Sequence, residues 1–470
     1  MRNLYKAGAA FLPALLAACA TTPLAEESPA LPQAAVGPFL TNANEFDATA
    51  EVPDNWWKLY NSPTLDSLVE QALAANTDLR IADANLARAQ AVLQEARGAR
   101  LPITETSGGV SYGDGVSGAV GSMGDADISA NAGFGLSYEV DFYGRVRQVI
   151  DAARADAEAQ EAARDTVRVT VASETSRSFL NACSAAYALD VARESYRTSL
   201  ESLELTQRLQ RAGSLGMLDV ERAGAAAAQA RSAIPAIEAQ RQFALFELAA
   251  LLGTIPAEIP APARHCDVPP EPVAALPVGD GAALLQRRPD IRQAERELAA
   301  AASRVGVATA ELYPTITLGG SANFFRNDAV TGSESFSFSL GPLVSWNFPN
   351  MSTARARLRQ AEAGQAAALA RFDGQVIKAL RDVEQAMASV LGESRRLSAL
   401  TDARDRSQSA FDLAGRRYRA GSIGYLDVLL AQRDFLDARA AHAASLQRLS
   451  SQRINLFRSL GGGWQSGSSK

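Results

Sequence analysis

Few residues in this chain have side chains suited to covalent or metal chemistry. Its 470 residues include only two His, three Cys and four Lys. His265 and Cys266 are adjacent, but a metal needs more ligands than this pair supplies. No nucleophile elbow, ligand cluster or triad can be assembled from the rest. Catalysis is therefore not expected, and neither is a metal or cofactor. Two carboxylates are better placed. Asp219 and Asp427 each follow an Arg-Ala-Gly-Ser-(Leu/Ile)-Gly turn, where a helix is about to begin. An acid in a first helical turn favours the dipole and satisfies free N–H groups.

Cys19 has chemistry of another kind. Arg2 and Lys6 make a basic opening, Ala7 to Ala18 is a short apolar stretch broken by Pro13, and Leu16-Ala17-Ala18-Cys19 ends it. The segment has the size of a signal peptide and is too short to span a membrane. Its end resembles the bacterial lipobox, in which cleavage precedes the Cys and its thiol and new amine are acylated. Cys19 is thus the expected lipidation residue, and each buried methylene contributes about 0.8 kcal/mol to anchoring. The alternative is an ordinary signal with an incidental Cys. Residue 20 is Ala rather than Asp, which in lipoproteins of this kind favours the outer membrane.

Composition excludes other classes. Lys plus Arg is 46 against 52 Asp plus Glu, a net charge of −6, so nothing points to nucleic acid. Hydrophobic residues make up 47%, yet no internal run approaches the roughly 18 apolar residues of a membrane helix.

The elements that hold the two Asp residues are duplicated. RAGSLGMLDV at 211–220 returns as RAGSIGYLDV at 419–428, 208 residues later. Asn76-Thr77-Asp78-Leu79-Arg80 parallels Arg288-Pro289-Asp290-Ile291-Arg292, and Pro102 parallels Pro314, both at 212. Such a period is far longer than that of a solenoid repeat. The expected division is a signal at 1–18, an extended lipid-anchored segment at 19–62, one repeat at 63–252, a Pro-rich linker at 253–288, a second repeat at 289–460 and a tail at 461–470.

Each repeat is predicted to open with a helix, over 64–98 with a break near Asn76 and over 290–311. A β-hairpin follows, at 103–142 and 315–348. From 128 to 142 every even residue is apolar or Ala, and the odd residues are Ser, Asn, Gly, Glu and Asp. Phe336, Phe338, Leu340 and Val344 alternate with Ser335, Ser337, Ser339 and Ser345. The first strand, 103–112, alternates less clearly. Alternation this long suits membrane-barrel strands of about 9–11 residues, apolar outside and polar inside. A long hairpin over a soluble core is the alternative. Four strands cannot close a barrel in lipid, so several chains would have to share one. Very long helices come next. Residues 145–211 hold no Pro and no Gly, and 352–420 keeps apolar steps of three and four. Each is expected to turn at its Gly-containing loop and return over 218–252 or 426–460, with coiled-coil packing.

Together these motifs resemble the outer membrane factor family, the TolC-type channels, and within it the lipoprotein branch of OprM and NodT. The carriers are the lipobox at Cys19, Asn55-Trp56-Trp57-Lys58-Leu59-Tyr60 with Ser62-Pro63-Thr64-Leu65-Asp66, Asn76-Thr77-Asp78-Leu79, Asp141-Phe142-Tyr143-Gly144-Arg145-Val146-Arg147, Arg287-Arg288-Pro289-Asp290-Ile291, and Arg417-Tyr418-Arg419-Ala420-Gly421 through Leu426-Asp427-Val428-Leu429. The resemblance implies an α+β membrane protein with an internal two-fold repeat. It implies a homotrimer whose chains each give four strands to a transmembrane β-barrel of 12, continuous with a long periplasmic α-helical coiled-coil barrel.

The implied role is passive export through the outer membrane, with a periplasmic adaptor and an inner-membrane pump of the RND type, for drugs and toxic compounds. Type I protein secretion uses the same tube. A non-conducting coiled-coil envelope lipoprotein is the reading from another class. The resemblance also places a gate at the periplasmic tips, with Asp427 and Asp219 as acids and Arg416, Arg419 and Arg433 among the partners. Gly213, Gly216, Gly421 and Gly424 mark the turns where the adaptor would dock. Those glycines are also expected simply to permit positive φ. Leu430 falls where relatives often carry a second acid, so the constriction is expected to be looser. Cys183 and Cys266 are read as idle thiols, with a periplasmic disulfide as the alternative. Trp56 and Trp57 are expected to pack the N-terminal segment onto the helices, with interfacial anchoring as the alternative.

Overall fold

Several helices begin where a side chain satisfies free backbone N–H groups. The computed structural model describes residues 35–41, 45–50, 52–113, 127–272, 275–327 and 330–462. Cys19, the signal segment and most of the C-terminal tail lie outside the described residues. Helix α1 (Pro63–Ala75) starts at Ser62, whose Oγ accepts from Leu65 N at 3.3 Å. Helix α2 (Thr77–Gly98) is separated from it by one residue. That residue is Asn76: its Oδ1 accepts from the N–H groups of Asp78 and Leu79, and its Nδ2 donates to Leu251 O at 3.0 Å. The break is therefore a cap.

Strands β2 (Ile103–Gly113) and β3 (Asp127–Val140) form the first hairpin, after the two-residue β1 (Phe46–Asp47). Helix α3 (Arg145–Arg211) then runs for 67 residues, about 100 Å at 1.5 Å per residue. Asp141 starts it by accepting from Val146 N and Arg147 N, each at 2.9 Å. Helix α4 (Met217–Leu251) returns. The linker holds α5 (Ala261–Arg264), β4 (Leu276–Pro277) and α6 (Gly281–Arg287). The second copy supplies α7 (Pro289–Ala310), β5 (Thr315–Arg326), β6 (Phe336–Ser345), the 68-residue α8 (Ser352–Arg419) and α9 (Tyr425–Ser459).

The chain forms two compact units, and each draws on both copies. One takes in Asn85–Glu161 and Gln293–Asp373, the other Ala30–Ala84, Ala162–Arg292 and Gly374–Lys470. The first unit contains the four-stranded antiparallel sheet, in the order β2-β3-β5-β6. Thr106 pairs with Phe134, Phe134 with Ala322 and Ala322 with Phe338, so even positions share one face across all four strands. That face carries Val110, Ile128, Leu136, Tyr138, Leu318, Phe336, Leu340 and Val344. The odd face carries mostly Ser, Thr, Asn and Gly, with Glu105, Glu139, Ile103, Phe325 and Leu343 among them, and Ser111–Ser129 and Ser321–Ser339 bond across strands at 2.8 and 2.9 Å. The outer edges of β2 and β6 have no strand partner among the described residues.

The second unit contains the apolar core. Trp56 is wholly buried and stacks on Phe457 with ring centroids 4.8 Å apart, while Trp57, Tyr60, Leu65 and Leu248 close around it. One expectation is corrected here. Cys183 and Cys266 are not idle thiols but form a disulfide, with Cα atoms 4.9 Å apart. Cys183 faces the Trp56 core from α3, and burial of the linker residues Ile259 and Ala263 in the same core brings Cys266 to it.

Candidate functional site

The paired turns are built alike. After α3, Ala212 N donates to Arg208 O, Gly213 N to Gln210 O and Ser214 N to Leu209 O. After α8, Ala420 N donates to Arg416 O, Gly421 N to Tyr418 O and Ser422 N to Arg417 O. Gly213 and Gly421 have φ of +74° and +71°, the left-handed end that a helix takes most easily with glycine. Gly216 and Gly424 are different. Their φ values are −87° and −77°, extended backbone at the start of the return helix. The expectation of positive φ thus holds for the first glycine of each turn and fails for the second. Gly216 and Gly424 occupy N-cap positions, where an extended backbone is the rule.

Asp427 reaches back to this cap: its Oδ2 accepts from Gly424 N at 3.1 Å. Asp219 sits at the equivalent place and lies 3.7 Å from Arg222. Both acids act at helix starts, where a negative charge opposes the positive end of the dipole. The arginines point elsewhere within the chain. Arg211 Nε donates to Gln207 O and Arg419 Nε to Gly415 O, each on its own helix. Arg433 lies 3.6 Å from Asp437, both highly exposed, a geometry that contributes little. Arg416 is exposed, and among the described residues no arginine meets Asp427.

The structure does bring the two turns of one chain together. Leu215 from the first turn packs with Phe411, Tyr418 and Ile423 around buried Tyr425 and Val428 of the second. Burial raises the Tyr418 phenol above its ordinary value, and the charges of Tyr425 and Asp219 add to this. Two polar links join the hairpins: Tyr425 OH donates to Ser202 O at 3.2 Å, and Ser202 Oγ to Gln432 Oε1 at 2.6 Å. Gln432 is buried. Sequence periodicity could not reveal these partners, which are more than two hundred positions apart. The polar residues would read as ordinary wet-face positions.

The sheet requires more than one chain. It has an apolar face, a polar face and two bare edges, and lipid does not tolerate bare edges. Chains must therefore pair edge to edge and enclose the polar face, which makes a water-filled passage. The class is a channel-forming outer membrane protein. The chain belongs to the family described as Outer membrane efflux protein, which it matches over residues 68–254 and 282–462.

It is 34% identical over 420 residues to the pyoverdine export outer membrane protein OpmQ of Pseudomonas aeruginosa, covering 87% of this chain and 88% of that one. It is 29% identical over 449 residues to the toluene efflux pump outer membrane protein TtgC of Pseudomonas putida, covering 93% and 91%. The solved structure of the outer-membrane channel OprN superposes with a TM-score of 0.85 at 32% identity, over 93% of this chain and 99% of that one. The protein is thus an outer membrane channel subunit of a tripartite export system, and its family forms trimeric channels that work with an adaptor and an inner-membrane pump. Its family is one of channels, not enzymes.

Proposed function

We propose that this duct exports small toxic organic compounds and is fed by an RND-type pump. The observation that supports it is near full-length similarity to OpmQ and TtgC, both named for the export of a compound rather than a polypeptide. The polar sheet face carries hydroxyls, amides and glycines, which suits a water-filled passage. Deleting the gene from its host should raise sensitivity to toluene and similar compounds, and the intact gene should restore resistance. Unchanged sensitivity with loss of secreted proteins would favour type I secretion instead.

At the tips, Asp427 with Asp219 supplies the closing carboxylates. Arg416, Arg419 and Arg433 of neighbouring chains supply cations. The exposed turns Gly213–Gly216 and Gly421–Gly424 receive the adaptor. Exposure of Asp427 and the lack of an arginine beside it among the described residues support this arrangement. Cys19 carries the lipid, and the motif Leu16-Ala17-Ala18-Cys19 supports that assignment. Cys19→Ser should abolish incorporation of labelled palmitate, and persistent labelling would remove the assignment.

A further inference from the structure

We infer that Glu105 sets the charge preference of the barrel part of the duct. This rests on the export-duct reading above. Strand register places Glu105 on the polar face, together with Ser107, Ser137, Thr317, Ser321 and Asn323. That face encloses the passage, because the opposite face is apolar and meets lipid. Two acids with described side chains stand on it within the strands, and they are held very differently.

Glu139 is neutralised. Arg145 binds it through both guanidinium branches, with Nε on Oε1 at 2.8 Å and Nη2 on Oε2. A bidentate pair of this kind cancels charge and fixes both groups. Glu105 has no hydrogen bond or ion pair among the described residues. Its cross-strand neighbour is Gly135, which offers no side chain to cover it. A Cβ on Gly133 would come within 2.8 Å of Ser107 Oγ and 3.1 Å of Asn323 Oδ1, so those polar groups already occupy the surface over the glycine. Glu105 therefore stands exposed on the polar face with no charged partner among the described residues. Three-fold assembly repeats it three times around one passage.

Fixed charge on a water-filled wall acts over the screening length, roughly 30 Å at 0.01 M salt and 3 Å at 1 M. Glu105 should attract cations and repel anions at low salt and lose this effect at high salt. The substrates it favours are cationic or neutral organic molecules over anionic ones. A gate of carboxylates would mask this, so the measurement uses the gate-neutralised Asp427→Asn trimer in planar bilayers under a KCl gradient.

Glu105→Gln should move the reversal potential toward zero at low salt, Glu105→Arg should reverse its sign, and both shifts should vanish near 1 M. Reversal potentials identical to the parent at low salt would overturn the assignment, as would shifts that persist at 1 M. An absence of any conductance from the gate-neutralised Asp427→Asn trimer would overturn the duct reading itself, and the Glu105 assignment with it.

Discussion

Asp427→Asn should raise single-channel conductance in planar bilayers while leaving the hairpin folded. Within the chain, the Asp427 carboxylate accepts one backbone N–H, that of Gly424 at 3.1 Å. An asparagine oxygen can accept the same bond, so the start of α9 keeps its cap and loses only the charge. The lost dipole interaction costs about 0.3–1 kcal/mol. At the proposed gate the loss is larger. Each charge-assisted hydrogen bond between neighbouring chains contributes about 1.5–3 kcal/mol, and symmetry supplies three. Since 1.4 kcal/mol is a factor of ten, the ratio of open to closed channels should rise by at least about tenfold.

Asp427→Ala should raise conductance too, but it also removes the cap. Comparison of the two separates charge from helix start. If Ala acts and Asn does not, Asp427 works as a cap. Conductance and cation selectivity unchanged in both variants would remove Asp427 from the gate.

The second large effect concerns the linker. Joint replacement of Cys183 and Cys266 by serine should lower stability by about 4 kcal/mol, because the bridge closes a loop across 83 positions and such loops restrict the unfolded chain strongly. The polar ties of this segment are weaker. Arg241 Nη2 donates to Arg264 O at 2.5 Å, and Arg453 lies 3.8 Å from Glu271. A trimeric membrane protein unfolds irreversibly, so the effect is read as a rate. Purified double mutant should lose intrinsic-fluorescence signal on heating sooner than wild type, and reductant should bring wild type to the mutant's behaviour. Equal melting of wild type with and without reductant would show that the bridge is not a support.

What could be read from the sequence follows from how local each signal is. The 67-residue α3 needs no distant partner to be recognised, because helix breakers are missing throughout. Strand β3 announces itself through strict alternation. Strand β2 does not, because its even positions include Thr104, Thr106 and Gly108, whose small or polar side chains blur the contrast. Only its pairing with Leu136, Phe134 and Ala132 shows that these positions share the apolar face.

The acids of the turns were visible because the turn is repeated. The disulfide was not, since two cysteines in a sequence carry no record of how the chain folds between them. Ser202, Gln432 and Tyr425 were hidden for the same reason. Gly216 and Gly424 depart from the expectation because a glycine in a turn announces freedom, and the structure uses that freedom at only one position of each pair.

The bare edges of β2 and β6 also dictate when the protein can enter its membrane. A single sheet inserted alone would expose two rows of unpaired N–H and C=O groups to hydrocarbon, each costing several kcal/mol. In water the same edges would invite promiscuous strand pairing. Insertion and trimer formation must therefore be a single event. The chain has no stable life as a lone membrane protein, and its supply at the membrane, through the concentration of partners, sets whether it exists as a folded molecule at all.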